Sequence, residues 1–309
     1  MLTSEFNYTL PTELIAQEPL SDRAASRLLH LDRGAAELPD CWFRDFPDLL
    51  RADDLLVFNN TRVFPARLYG RRSGTKAQPV SAQNPSAGEF LKGKVEVLLT
   101  RQLSRDPNEW ECLVRPGRKI DVGERLYFGS EGELQAEVLA RGSFGERRIR
   151  FDHAADFYEL VERLGHVPLP PYIDRQDRGS DRERYQTVYA RERGSVAAPT
   201  AGLHFTPEVL TRIRDRGVET TEVTLHVGLG TFQPIRVADV EEHTLHREAY
   251  EISKEAAGQI NRALDAGRRV VAVGTTTVRT LEYAAAQSET GRVQAGSEPG
   301  RRFEVSARR

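Results

Sequence analysis

Cysteine and long apolar runs are nearly absent from this 309-residue chain. Cys41 and Cys112 are its two cysteines, too few for a disulfide framework or for a zinc site built from cysteines alone. Apolar runs such as residues 270–273 fall far below the roughly 20 residues that a membrane-spanning helix needs. The N-terminal residues MLTSEFNYTLP carry an acid and a proline where a secretory signal has an apolar run. We therefore expect a cytoplasmic protein that makes no membrane contact.

Lysine is also scarce, and the charges of the chain nearly cancel. Of the 44 Lys and Arg residues 5 are Lys, which leaves 39 Arg, and 46 Asp and Glu bring the formal net charge to −2. This balance excludes a strongly basic or strongly acidic protein. Guanidinium groups bind phosphate bidentately, so arginines clustered on one face would suit a nucleic-acid partner. Codon bias in a GC-rich genome would produce the same composition.

The pattern of apolar residues predicts an α/β main domain with an inserted small all-β barrel. A 39% hydrophobic fraction supplies a sizeable core, and the length suggests two domains or one with an insertion. Short alternating runs are typical of β-strands, and they occupy residues 63–69, 95–99, 110–114, 126–128, 134–139 and 147–151. We place the main domain at 1–61 and 152–309, and the barrel at 62–151.

The flanking parts of the chain carry both strand and helix signals. Residues 55–58 and 223–227 are typical of strands, and 269–273 of another. Thr206 before Pro207 indicates a helix that runs to about Arg216, and Ser253 can cap a helix that runs to Leu264. The stretch 275–286 predicts a further helix.

Three strand-to-turn segments, at 198–206, 224–232 and 274–282, concentrate glycine, histidine and small hydroxyl side chains. In the first, His204 and Phe205 precede a helix N-terminus, where free N–H groups favour an anion. An ordinary loop with a packed phenylalanine and a hydrogen-bonded histidine is the alternative. In the third, hydroxyls follow a glycine at a helix start, which indicates either a carboxylate or phosphate cradle or only a well-capped helix.

The second segment runs from a strand into Gly-x-Gly. Strand alternation puts His226 opposite the apolar face, and Gly228 and Gly230 let a ligand approach the backbone. The third glycine of the dinucleotide fingerprint is missing, so we expect no nicotinamide cofactor.

A charged run at 241–248 contains His243 and His246. Two histidines flanked by carboxylates suggest a metal site or an acid–base pair. Their spacing does not match the zincin helix and no third ligand is evident nearby, so a solvated helix start is the competing interpretation.

Taken in order, nine motifs resemble the S-adenosylmethionine:tRNA ribosyltransferase-isomerase family of queuosine biosynthesis. They run from the N-terminus to about residue 285, and the ordered set is highly specific. The matching motifs are FNY at 6–8 with LP at 10–11 and LIAQ at 14–17, SRLL at 26–29, NNTRV at 59–63, PAR at 65–67, HVPLPPYI at 166–173, RYQTVY at 184–189, APTAGLHF at 198–205, HVGLGTF at 226–232 and GTTTVRTLE at 274–282.

The resemblance implies both an activity and a fold. The family transfers the ribosyl part of S-adenosylmethionine to 7-aminomethyl-7-deazaguanine in a tRNA anticodon and isomerises it, releasing adenine and methionine. The product is epoxyqueuosine-tRNA. The family's α/β domain with an inserted barrel matches the boundaries drawn above. We accordingly expect S-adenosylmethionine as a ribosyl-donor co-substrate, no tightly bound cofactor, no metal, a tRNA partner and a monomer.

The same resemblance implies roles for individual residues. A sulfonium acidifies the adjacent carbon, so a neutral histidine near pH 7 suits the base that starts the reaction. His204 or His226 is that candidate catalytic base, and Phe205 or Phe232 is the candidate to stack on adenine or face the sulfonium. Candidate phosphate contacts to tRNA are Arg62, Arg67 and Arg279. The substrate-binding candidates are Thr200, Gly202, Phe205, Gly228, Gly230, Thr231, Phe232, Thr275, Thr276 and Arg279.

The family pattern normally continues beyond the position at which this chain ends. Residues 298–305 echo the start of its next segment, and the chain then ends at Arg309. We therefore expect a chain that lacks the usual C-terminal segment. The alternatives are a catalytically impaired homologue that only binds tRNA, and a metal-dependent hydrolase built on His243 and His246.

Overall fold

The chain forms two compact units. A computed structural model describes residues 1–34, 38–72, 93–142, 145–152, 156–228, 230, 235, 237–243, 248–288, 291–295 and 303–305. One unit comprises Met1–Val63 with Leu169–Arg309, and the other comprises Phe64–Pro168. The first contains a mixed sheet with helices and the second a closed antiparallel barrel. This confirms the predicted fold class, an α/β main domain with an inserted all-β barrel.

Fifteen strands and five α-helices are described. The strands are β1 Arg27–Leu29, β2 Asp40–Trp42, β3 Leu55–Asn59, β4 Thr61–Val63, β5 Arg67–Arg72, β6 Lys94–Arg105, β7 Asn108–Arg115, β8 Arg125–Phe128, β9 Leu134–Arg141, β10 Glu146–Phe151, β11 Glu192–Ser195, β12 Glu219–Leu225, β13 Glu248–Glu251, β14 Val270–Ala272 and β15 Phe303–Val305. The helices are α1 Phe157–Leu164, α2 Asp181–Arg184, α3 Pro207–Asp215, α4 Lys254–Asp265 and α5 Thr275–Ala286.

The main unit is organised around a five-stranded sheet in the order β14-β3-β12-β13-β15. Strands β14, β3 and β12 are parallel, and β13 and β15 are antiparallel to their neighbours. Strand β3, which lies between β14 and β12, is buried on both faces, as its continuous apolar sequence requires. Leu55 and Val57 pack with α4 and α5 on one face. Leu56 and Phe58 pack with α3 and the 3₁₀ helix Phe43–Leu49 on the other.

Two helix starts lie where the sequence places them. Thr206 accepts a hydrogen bond from the Val209 N–H, with Pro207 in the first turn. Ser253 caps α4 in the same way through the Ala256 N–H. Both predictions are confirmed because such caps depend on residues only three apart in sequence.

The barrel closes in the order β10-β7-β6-β5-β8-β9, with every pair antiparallel. All six predicted runs contribute to it. The first prediction, residues 63–69, is wrong in extent: β4 ends at Val63 and β5 begins at Arg67. Pro65 lies in the break, where it has no N–H to donate to a ladder.

The barrel unit continues past its last strand. Helix α1 belongs to it, and a mutual backbone pair joins Arg67 N to His166 O at 3.2 Å and His166 N to Arg67 O at 2.8 Å. The unit therefore spans 64–168, whereas the sequence pattern suggests 62–151.

The amino ends of the three parallel strands are held by a buried carboxylate. Asp54 is fully buried and accepts hydrogen bonds from Arg269 Nε at 2.8 Å, Arg269 Nη2 at 2.5 Å and the Arg51 N–H at 2.7 Å. Its carbonyl accepts from Glu219 N, and the Arg269 carbonyl accepts from Leu55 N. Burial alone would raise the pKa of Asp54, but these hydrogen bonds outweigh it and lower the pKa.

Replacing Asp54 by Asn should destabilise the main unit by about 2 kcal/mol at neutral pH. This is below the cost of breaking a fully buried pair because the Arg269 side chain is 41% exposed. The lowered pKa means that the carboxylate stabilises the fold above about pH 4, and that this contribution is lost as the pH falls further. Urea unfolding should therefore show a shallower acid dependence in Asp54→Asn. Asp40→Asn, in the exposed Arg27 pair, should change stability by less than about 0.5 kcal/mol; an equal loss in both variants would contradict the assignment.

Candidate functional site

The carboxyl ends of β3 and β12 meet the N-terminus of α5, and Asn59 joins the three. Its Nδ2 donates to the Leu225 carbonyl and to Thr276 Oγ1, both at 3.1 Å. Its Oδ1 accepts from the N–H groups of Leu225 at 3.0 Å and Thr61 at 3.2 Å. The side chain is buried, so all its hydrogen-bonding capacity is used inside the fold. In open α/β sheets, ligands bind outside such strand ends.

His226 is fixed beside this junction by two contacts. Its Nδ1 lies 2.8 Å from Oγ1 of Thr61, a fully buried residue. Its ring lies against Gly194, where a Cβ would be 2.8–2.9 Å from three ring atoms. Glycine at 194 is therefore needed for the imidazole to occupy this position. Through Thr61 and Asn59, His226 is connected to Thr276.

Asn60 extends the polar junction towards β11. Its Oδ1 accepts from Thr224 Oγ1 at 2.7 Å, and its Nδ2 donates to Glu222 Oε2 at 3.0 Å. The carbonyl of Asn60 accepts from the N–H groups of Arg191 and Glu192. The NNT motif at 59–61 thus holds two strand ends and the start of β11 together.

A buried ion pair supports the turn that follows His226. Glu248 on β13 accepts the Gly228 N–H at 2.8 Å with Oε1 and Arg279 Nη1 at 2.5 Å with Oε2. The Glu248 side chain is 3% exposed and that of Arg279 is 25% exposed. Arg279, predicted as a substrate or phosphate contact, therefore has its charge compensated within the protein.

The start of α5 presents backbone donors to the same edge. Gly274 precedes it with φ at +84°, which favours glycine, and no side chain caps the helix. Thr275 is exposed, whereas Thr276 accepts from Asn59. Thr277 is buried and donates to the Val273 carbonyl. The helix N-terminus can favour an anion beside Thr275 and Thr276.

His204 has a different environment from His226. Its Nδ1 lies 3.0 Å from Ser26 Oγ, and its ring centroid is 5.3 Å from that of Phe43. Burial lowers the pKa of His204; a hydrogen bond with the Arg23 backbone opposes this shift, and the Arg23 charge adds to it. The ring is therefore neutral at pH 7.

Phe205 and Gly202 lie in the packed interior beneath this loop. Phe205 is 1% exposed and contacts the rings of Phe43, Phe46 and Phe58. Its faces are occupied by core side chains, which places it away from an open stacking surface. A Cβ at Gly202 would lie 2.1 Å from Tyr189 Oη, so this glycine is required by packing.

Two buried hydroxyls beside Gly202 have no hydrogen-bond partner in the described part of the chain. They belong to Thr187 and Tyr189. The Thr187 methyl carbon would be 2.7 Å from a Cβ at Gly202, so both side chains crowd the same glycine. Unsatisfied buried hydroxyls cost free energy, so a polar group bound here would be stabilised.

The remaining predicted site residues are dispersed. Thr200 is exposed at the start of the 3₁₀ helix Thr200–His204, and Gly230 is partly exposed. Arg62 is exposed and has no ion pair among the described residues, whereas Arg67 pairs with Glu96 at 3.2 Å. Thr231 and Phe232 lie outside the described residues.

Sequence reasoning missed Glu248. The sequence feature that could have identified it is an acidic residue two positions before Tyr250, which places both side chains on the buried face of a four-residue strand. Asn59, Asn60 and Thr61 were recognised as a motif but received no role.

The metal hypothesis gains no ligand set from the described part of the chain. There, no group of three or more His, Cys, Asp or Glu side chains is placed to hold a metal ion. His243 is described, and His246 lies outside the described residues.

Comparison with known proteins places the chain in a family. The model of a family described as queuosine biosynthesis protein matches residues 3–308. The chain belongs to this family. It is 58% identical over 285 residues to an S-adenosylmethionine:tRNA ribosyltransferase-isomerase from Solibacter usitatus. This match covers 92% of this chain and 79% of the relative. One from Desulfitobacterium hafniense is 48% identical, covering 95% of this chain and 80% of the relative.

A solved structure is also similar to this member of the queuosine biosynthesis family. It is the crystal structure of an S-adenosylmethionine tRNA ribosyltransferase from Thermotoga maritima, with 32% identity, coverage of 96% of this chain and 78% of that chain, and a TM-score of 0.41. Assignment to the family therefore rests on the family model and the sequence relatives. Within the described ranges of this family member, every helix is too short or too polar to span a bilayer.

Glu248→Ala should destabilise this family member by about 2–3 kcal/mol, because it removes the buried carboxylate that pairs with Arg279 and takes away the acceptor of the Gly228 N–H. Asp265→Ala is the matched control: it breaks an ion pair with Arg292 in which both side chains are more than half exposed, and its cost should be below about 1 kcal/mol. Urea unfolding measures both. Equal small effects would show that the Glu248 pair is no stronger than a surface pair.

Proposed function

We propose that this chain is an S-adenosylmethionine:tRNA ribosyltransferase-isomerase. It transfers the ribosyl part of S-adenosylmethionine to 7-aminomethyl-7-deazaguanine in the anticodon of a tRNA and isomerises it, releasing adenine and methionine. The observation that carries the proposal is the 58% identity over 92% of the chain to a relative with this name. Nothing in the comparisons favours the binding-only alternative.

His226 is the proposed base for the first step. The proton on the carbon next to the sulfonium moves to the imidazole, and the electron pair stays on that carbon beside the positive sulfur. Thr61 Oγ1 lies 2.8 Å from His226 Nδ1 and 3.4 Å from the Glu192 carbonyl oxygen. We assign the hydroxyl proton to the Glu192 carbonyl, which can only accept, so that the hydroxyl oxygen accepts Nδ1–H. This leaves the lone pair on Nε2, as a base requires.

His226 is a better candidate than His204 because of its neighbours. It is hydrogen-bonded into the strand-end junction that contains Asn59 and Thr276. His204 is hydrogen-bonded to Ser26 and packs against Phe43. We assign His204 the role of holding the loop that starts at Thr200.

Substrate contacts are proposed at the open side of the junction. The N-terminus of α5 with Thr275 and Thr276 is suited to the methionine carboxylate, and the turn at Gly228 and Gly230 lets the substrate approach the backbone. Exposed Arg62 is the proposed phosphate contact. We further propose that the enzyme acts as a cytoplasmic monomer, with S-adenosylmethionine as co-substrate and no resident cofactor.

The chain is incubated with S-adenosylmethionine and tRNA that carries 7-aminomethyl-7-deazaguanine. We expect release of adenine and methionine, and transfer of the ribosyl-derived group to the tRNA. Chromatography of the bases and mass spectrometry of the digested tRNA measure both. A matched tRNA with guanine at that position should give neither product. If tRNA binds but no adenine is released, the binding-only alternative replaces the proposal.

His226→Gln should lower kcat by about 10² to 10⁴, the usual contribution of a positioned base, while His204→Gln retains most activity. Thr61→Val should lower kcat about tenfold with little change in KM, because it removes the hydroxyl that orients the ring; Thr61→Ser should restore it. Adenine release at saturating substrates gives the rates, and thermal unfolding checks the fold of each variant. Normal turnover in folded His226→Gln would remove the base assignment.

A further inference from the structure

A cleft at one end of the barrel is lined entirely by residues of the barrel unit. This open cleft has a volume of about 680 Å³ and is lined by residues from the β6–β7 hairpin, the end of β10 and the start of α1. This volume lies within the range of small-molecule pockets and accommodates a single nucleotide. The lining residues used below are Gln102, Arg105, Asn108, Phe157 and Tyr158.

The amides in this cleft are oriented by a one-way chain of hydrogen bonds. The indole Nε1 of Trp110 donates to Asn108 Oδ1 at 2.8 Å. Gln102 Nε2 donates to the same oxygen at 3.1 Å, and Tyr158 Oη donates to Gln102 Oε1 at 3.1 Å. An indole N–H only donates, so the oxygen of Asn108 must face it. The Asn108 NH₂ is thereby directed away from Trp110, and it has no hydrogen-bond partner in the described part of the chain.

Aromatic surface accompanies these polar groups. Phe157 and Tyr158 are partly exposed in the cleft, and both rings lie against Trp110, with centroids 5.7 and 6.3 Å away. Trp110 is 3% exposed, so it forms a rigid support behind them. Aromatic surface beside a fixed amide donor is how proteins bind unstacked bases of RNA.

The charges of the cleft favour one nucleotide rather than a long phosphate backbone. Arg150 pairs with Glu137, and Asp152 pairs with Arg125. Arg105 is exposed and has no ion pair among the described residues, and Asp106 follows it in the hairpin turn. One available guanidinium suits one phosphate, whereas duplex binding relies on many.

We propose that this cleft binds an unpaired nucleotide of the tRNA substrate, with its base against Phe157 and Tyr158, a base acceptor on the Asn108 NH₂ and its phosphate on Arg105. The inference rests on the proposed function for the identity of the RNA. It adds a second RNA-contacting site, built into the inserted barrel, that reads an unstacked base.

The test compares tRNA binding and turnover in three variants of the full chain. Asn108→Asp keeps the acceptor for Trp110 and Gln102 and removes the donor. Arg105→Ala removes the phosphate contact. Arg118→Glu is the control: it lies after β7, at the opposite end of the β6–β7 hairpin, and is likewise exposed with no ion pair among the described residues.

Fluorescence anisotropy with labelled tRNA carrying 7-aminomethyl-7-deazaguanine should give Kd values about tenfold higher for Asn108→Asp and Arg105→Ala, and within twofold of wild type for Arg118→Glu. The KM for tRNA should rise in parallel, while kcat and the KM for S-adenosylmethionine stay unchanged. Arg105→Ala should also reduce the salt slope of log Kd by about 0.7. Single-stranded RNA should compete with the labelled tRNA more strongly than a duplex of the same length.

The outcomes separate the two proposals. If wild type neither binds the tRNA nor releases adenine, the proposed function fails. If wild type is active but both cleft variants bind tRNA like wild type, the cleft inference is overturned. If the affinity for tRNA falls equally in all three variants, the effect comes from overall charge and the cleft inference is overturned. If a duplex competes as strongly as single-stranded RNA, the cleft does not recognise an unpaired base.

Discussion

The carboxamide of Asn59 substitutes for a strand that leaves the sheet. The parallel ladder between β3 and β12 ends at the Asn59–Val223 pair, yet β12 continues to Leu225. The Asn59 amide satisfies both backbone groups of Leu225, which would otherwise be buried without partners. Strand β3 can then turn away at Asn60, and β4 pairs with β11 in a separate two-stranded sheet. That divergence separates the strand ends and creates the position that His226 occupies.

Arginine provides much of the internal electrostatics of the main unit. The buried carboxylates of Asp54, Asp181 and Glu248 are each held by an arginine. For Asp181 the hydrogen bonds from Arg175 are the largest cause of its lowered pKa. The abundance of arginine therefore has a structural component in addition to any RNA contacts. Because these arginines are paired with acids, their charges are largely cancelled and contribute little field at the surface. The abundance of arginine is therefore compatible with the near-neutral net charge.

Local signals predicted the elements better than the contacts between them. The caps at Thr206 and Ser253 and the barrel strands follow from residues a few positions apart. The local sequence around Phe205 does not determine whether its ring faces a ligand or the core. The ring packs in the core because it contacts Phe43, which is far away in sequence. Arg279 and Glu248 are 31 residues apart, so the local sequence around either residue does not predict that they pair. The histidines were identified, but the hydroxyl that orients His226 comes from a motif 165 residues earlier.

The closed hydrogen-bonding circuit of the barrel determines how an insertion of this size can be accommodated. Because β9 pairs with β10 and so closes the ring, each barrel strand has a neighbour on both sides. Along the described barrel strands, no row of free backbone donors and acceptors remains to pair with strands of the main sheet or of another chain. The inserted segment can therefore complete its own ladder without competing for the pairing of β3 and β12. An open sheet in the same place would have two unpaired edge strands, whose backbone groups could pair with other strands of the chain while it folds.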